Sequence, residues 1–151
     1  MQLNQIDLNL LVVLDAIYAQ HDLDSGSFDV LATLLRSGHP YRLTAGQLQR
    51  TAMITSSAVA QRLNRLEGRG LVERTPNESD ARATDVTHTP SGYAAISATL
   101  PDHVANEHRL LGGLTAEQTA QLAELLRILT QSFEANGEVA AQQQFPAGRR
   151  P

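Results

Sequence analysis

Residues 44–88 read TAGQLQRTAMITSSAVAQRLNRLEGRGLVERTPNESDARATDVTH, and this stretch decides the fold. Thr44 and Gln47 form a T-x-x-Q capping box, which opens a short helix, AGQLQRTA. Met53 and Ile54 fill a turn, and Thr55 is placed to cap a second helix over 56–69. In that helix Val59, Leu63 and Leu66 recur at i, i+4 and i+7, the spacing of a core-facing stripe. The opposite side of the wheel carries Ser57, Gln61, Asn64 and Gly68, flanked by Ala60 and Arg65. Gly68 and Gly70 stop the helix. LVERT then reads as a strand, PNESD as a turn and ARATDVTH as a returning strand, with Val72 and Val86 facing inward.

Helix, turn, helix and hairpin in that order is the layout of a winged helix-turn-helix. It sends the second helix, N-terminus first, into a DNA major groove. Ser56, Ser57 and Gln61 are then candidates for base edges or nearby phosphates, and Asn64 is a weaker one. Glutamine can pair bidentately with adenine, whereas serine discriminates less. The free N–H groups at the helix start suit a phosphate, and Thr55 there is a DNA-binding candidate too, with simple helix capping the alternative for Thr55 and Ser56. Arg62 and Arg65 are candidates for phosphates or for bracing the wing, and Arg74 sits at the wing base. Asp80 and Arg82 are two residues apart on the expected strand, so the carboxylate can hold the guanidinium. A plain hairpin salt bridge is the alternative for that pair.

Working outward, Asp24 is an N-cap for a helix whose apolar face is Phe28, Leu31, Leu34 and Leu35. Gly38 ends it and Pro40 cannot continue it, and residues 41–43 form a short extended piece. The first helix, with LNLLVVLDAIY at its centre, is apolar on nearly every face. It therefore needs burial on more than one side, which a second copy of the chain can supply, an ordinary buried helix being the equal alternative from this stretch alone. From Pro90 a long helix carries Tyr93, Ile96, Leu100 and Val104, and Pro101 should kink or break it. Gly112 and Gly113 mark a break, and Thr115 with Gln118 is a second capping box. The closing helix is amphipathic through Leu122, Leu125, Leu126, Leu129 and Phe133, and Asn136 and Gly137 end it. The polar tail 138–151 is expected to be disordered.

The 151 residues are one domain by size and contain no cysteine, which excludes disulfides, thiol catalysis and thiol-based sensing. Net charge is −4, yet its distribution is uneven. All twelve cations are arginines, and eight of them lie in 36–82 against four acids, a segment charge of +4. The remainder, with four arginines and twelve acids, is −8. A basic middle between acidic arms fits a DNA-binding module on a non-binding scaffold. MQLNQIDLNL has no basic residue before its apolar run and no run approaches the ~20 residues of a membrane helix, so a cytoplasmic protein is expected.

Residues 28–133 resemble the MarR family of winged helix-turn-helix regulators. The matching phrases are FDVLATL, LTAGQLQRTAMITSSAVAQRLNRLEGRGLVER, the D-A-R element at Asp80 to Arg82, THTPSGYAAI and LLGGLTAEQTAQLAELLRIL. IDLNLLVVLDAIYAQHDL also resembles the opening helix of LysR-type regulators, over that helix only. The MarR resemblance implies a mainly α fold with a small β-hairpin wing and N- and C-terminal dimerisation helices. The expected organisation is one domain over 1–137, with the winged lobe at 24–89 and dimerisation helices at 3–21 and 90–136. It implies a homodimer on a pseudo-palindromic double-stranded DNA operator. It also implies a repressor released by a small aromatic or phenolic effector, and a minor-groove role for Arg82 oriented by Asp80. The segment before Phe28 is shorter than usual for the family, which leaves the dimer geometry open.

Other classes fit less well. No Gly-rich phosphate loop, nucleophile elbow or paired-carboxylate constellation suggests an enzyme, and no cofactor is implied. A metal-responsive regulator would need clustered histidines, but His103 and His108 diverge on a helix and His21, His39 and His88 are isolated in sequence. A winged-helix interaction module without DNA binding is the remaining alternative.

Overall fold

Capping side chains set the helix boundaries. The computed structural model describes residues 2–52 and 54–135. Helix α1 spans Gln2–Gln20 and α2 spans Ser25–Arg36. Asp24 caps α2 by accepting from the Ser27 amide at 2.7 Å. Strand β1, Arg42–Thr44, leads into α3, Ala45–Ala52. The first capping box closes there, with Thr44 Oγ1 accepting from Gln47 N and Gln47 Oε1 accepting from Thr44 N. Helix α4 covers Ser56–Gly68, followed by β2, Val72–Pro76, and β3, Thr84–His88. Helix α5, Pro90–Leu111, and α6, Ala116–Ala135, complete the chain, with the Thr115–Gln118 box formed at the start of α6. Met53, the helix stop at Asn136 and Gly137, and the tail 138–151 lie outside the described residues, as does the Phe133 side chain.

The extended piece before α3 does more than the sequence suggested. It joins the hairpin as an edge strand, giving an antiparallel sheet of order β1-β3-β2. Leu43 pairs with Val86, and Val86 pairs with Arg74 on the other side. Pro101 neither breaks nor ends α5, which is continuous from Pro90 to Leu111. The residue four earlier, Ser97, is exposed along with Pro101, which places the proline on the solvent side of the helix.

The core gathers Leu31 and Leu34 of α2, Leu48 of α3, Leu63 and Leu66 of α4, Val72, Val86 and Ile96, all essentially buried. Helix α4 ends where Gly70 takes φ +68. The Leu71 amide reaches back to Leu66 O at 2.9 Å and Gly70 N to Glu67 O at 2.9 Å, a Schellman closure. The chain turns there so tightly that Gly92, in the first turn of α5, lies against Leu71. A Cβ at Gly92 would stand 1.8 Å from the Leu71 carbonyl oxygen.

The terminal helices have apolar faces that the other described residues do not cover. Leu10, Leu11 and Val12 of α1 are exposed, as are Leu122, Leu125, Leu126, Ile128 and Leu129 of α6. Among the described residues no helix is long and apolar enough to cross a membrane.

Candidate nucleic-acid interface

Helix α4 is held by its buried face, Val59, Leu63 and Leu66. Its other face carries Ser56, Ser57, Ala60, Gln61, Asn64 and Arg65, all exposed. Thr55 is the N-cap, its hydroxyl accepting from the Ala58 amide at 3.2 Å and lying 3.0 Å from Ser57 Oγ. The first turn holds no acidic residue, so nothing in it neutralises the positive end of the helix dipole. Hydroxyl and amide groups beside unmasked helix amides can read base edges and hold a phosphate.

The arginines divide into engaged and free groups. Arg62, a candidate for phosphate, for the wing or equally for a structural role, reaches α2, where its Nη1 donates to Asp29 Oδ2 at 3.2 Å. Its guanidinium crosses Gly26 so closely that a Cβ there would stand 2.8 Å from Nε. Arg65 bonds the Asp24 carboxylate, the α2 cap. Arg74 donates from Nε to Glu67 Oε2 at 3.0 Å, and its Nη2 bonds the same oxygen, fastening β2 under the end of α4. That bond holds the Glu67 carboxyl below its usual range and raises Arg74. Ser56, Ala60, Arg74 and Thr84 line one cleft between α4 and the wing base.

At the wing tip the geometry departs from the expected strand. Asp80 and Arg82 sit in the loop between β2 and β3, both exposed. Asp80 Oδ1 accepts from the Arg82 backbone amide at 2.9 Å. The carboxylate thus shapes the turn, and among the described residues the Arg82 guanidinium has no ion pair. The fixed partners Asp24, Asp29 and Glu67 were missed from sequence. The first two lie 41 and 33 residues from the arginines they hold, with no local pattern to join them.

A second constellation lies behind α4. Tyr18 of α1 stacks on Phe28 of α2 with ring centroids 4.4 Å apart, and Phe28 meets His103 of α5 at 4.6 Å. Tyr18 Oη lies 3.1 Å from His103 Nδ1, and His103 Nε2 is 3.2 Å from Glu107. Burial first, then the nearby acids Asp29, Glu107 and Asp15, push the Tyr18 hydroxyl up to about 12. Burial also raises Asp29, although Arg62 opposes it. His21, isolated in sequence, bonds Asp102 at 2.8 Å. Among the described residues no three His, Cys, Asp or Glu side chains gather as a metal site.

A helix-turn-helix whose second helix projects a polar face beside a three-stranded wing defines the winged helix-turn-helix class of transcriptional regulator. Residues 21–83 match the family model described as the MarR family. The chain is 35% identical over 124 residues to the HTH-type transcriptional regulator PecS of Dickeya dadantii (strain 3937), covering 82% of this chain and 75% of PecS. It is 31% identical over 107 residues to the HTH-type transcriptional repressor MdtR of Bacillus subtilis (strain 168), covering 71% of this chain and 67% of MdtR. A MarR family transcriptional regulator from Streptomyces coelicolor, solved in complex with DNA, matches with a TM-score of 0.75 at 25% identity, covering 87% of this chain and 86% of that one. The chain belongs to the MarR family of transcriptional regulators.

Proposed function

We propose that the protein is a cytoplasmic homodimer that represses transcription by binding a pseudo-palindromic operator. Each α4 enters a major groove through Thr55, Ser56, Ser57 and Gln61, and each wing places Arg82 in the adjacent minor groove. Arg65 and Arg74 lie at the margin of this surface, where their carboxylate partners set their position. The observation that carries the reading is the exposed polar face of α4, flanked by the wing arginine Arg82, whose guanidinium has no ion pair among the described residues. The partner copy covers the apolar faces of α1 and α6, whose exposed leucines otherwise face water. We take residues 1–137 as one domain serving this role without catalysis.

Release by a small aromatic effector is supported by the Tyr18–Phe28–His103 stack. Phe28 is next to Asp29, and Asp29 holds Arg62 of α4. A planar ring that wedged into the stack would shift α2 and α4 together and move the reading helix. It acts by binding that shifted geometry more tightly than the DNA-bound one. Thermal-shift screening of phenolic acids, with zinc as the contrasting ligand, tests this. The reading expects stabilisation by an aromatic acid that also releases DNA, and stabilisation by zinc alone contradicts it.

A further inference from the structure

The wing tip is anchored by a buried carboxylate for which the DNA reading has no use. Asp85 of β3 is 5% exposed and points to the sheet face opposite Val86. Its Oδ1 accepts from Asn77 Nδ2 at 2.8 Å, and its Oδ2 lies 3.8 Å from Arg42 Nη1 of the edge strand. Asn77 begins the wing loop, and its Oδ1 accepts from the Ser79 and Asp80 amides, both at 2.9 Å. The Asn77 amide donates to Ala83 O at 3.1 Å, closing the loop from the other side. Asp80 then accepts from the Arg82 amide at 2.9 Å. A continuous run of hydrogen bonds therefore leads from the buried carboxylate to the backbone that carries Arg82. Residues 78–82 are otherwise exposed, with no apolar side chain seated in the core.

We propose that Asp85, acting through Asn77, is a positioning residue that sets the wing tip and so the reach of Arg82. This rests on Arg82 contacting DNA. A loop already ordered in the free protein does not lose its conformational freedom on binding, and one cut from its anchor does. Arg42 holds the second carboxylate oxygen from the neighbouring strand and keeps the acid on the sheet.

The test is fluorescence anisotropy on a duplex that the protein has itself enriched from a random-sequence pool, with thermal melting as a check on folding. Asn77→Ala changes no charge, and it weakens binding about tenfold. Asp85→Val does the same, even though loss of a negative charge alone would strengthen binding to DNA. Asp85→Asn keeps an oxygen acceptor for Asn77 and restores most of the affinity. In an Arg82→Ala background, Asn77→Ala produces no further loss. If Arg82→Ala weakens binding while Asn77→Ala and Asp85→Val do not, the anchor is dispensable and the proposal fails alone. An equal loss from Asn77→Ala with and without Arg82 makes the pair merely structural and also overturns it. If Arg82→Ala itself binds at full strength, the wing reading falls and takes the proposal with it.

Discussion

Arg65 of the reading helix bonds the carboxylate of Asp24, the residue that caps α2. One side chain thus terminates one helix and holds a cation of another. Burial pushes the Asp24 carboxyl up, but the bonds from Ser27 and Arg65 outweigh it and leave the group below its usual range. Asp24→Ala removes both functions and is expected to lower stability by about 1 kcal/mol, mostly through the lost cap. Asp24→Asn retains a capping oxygen and should stay within about 0.5 kcal/mol of wild type in urea unfolding. It also frees Arg65 for phosphate, so DNA affinity should rise for Asp24→Asn and return when Arg65→Ala is added.

Gly92 cannot carry a side chain. A Cβ would stand 1.8 Å from the Leu71 carbonyl oxygen, and backbone cannot move aside as a flexible side chain can. Thr89 fixes the same junction, donating to Gly70 O at 2.6 Å and accepting from Gly92 N at 3.0 Å. Gly92→Ala is expected to cost about 2–3 kcal/mol by forcing α5 off the end of α4. Guanidinium-induced unfolding measures it, and an unchanged midpoint would rule out the close approach.

Much of this architecture was legible because it is local. The caps at Asp24, Thr44, Thr55 and Thr115 each involve a partner three residues away, within reach of any single-sequence pattern. The stripe of Val59, Leu63 and Leu66 is equally local, and so is the alternation that turns Val72 and Val86 inward. What escaped was non-local. Strand β1 is three residues long and is a strand only because β3 offers it hydrogen bonds. Arg62 and Arg65 find Asp29 and Asp24 across the chain, which helical periodicity does not record. Of the two outcomes expected at Pro101, a break does not occur, because a proline within a helix can cost a bond without ending it.

His88 gives stability a pH dependence of definite sign. It is buried, its Nε2 lies 2.9 Å from Leu31 O, and its Nδ1 has no hydrogen-bond partner among the described residues. Burial lowers its pKa below the ordinary 6.5, against the opposing bond to Leu31. The unfolded chain therefore takes up the proton first as pH falls. Stability should decline on acidification below about 6.5 and level off once the folded state also protonates. Replacing the imidazole by His88→Gln should flatten that portion of the stability profile, and an unaltered slope would assign the dependence to other groups.

The apolar face of α6 accounts for dimerisation in this reading. Leu125 and Leu126 are 64% and 53% exposed in the single chain. Leu125→Glu is expected to shift sedimentation from dimer to monomer while each winged lobe stays folded by circular dichroism. Operator affinity should then drop by about 100-fold or more, because two linked lobes no longer bind as one. A Leu125→Glu dimer of unchanged affinity would place the interface elsewhere.

The central claim is that two copies of α4 read one face of a DNA duplex in fixed phase. It is tested most directly by inserting base pairs at the centre of a duplex enriched by the protein and measuring affinity by anisotropy. An insertion of about half a helical turn, roughly 5 bp, rotates one half-site to the opposite face of the duplex. The account expects binding to fall to the level of a duplex with one half-site scrambled, and to stay there. Affinity that is indifferent to the insertion would contradict a phased dimer of winged lobes.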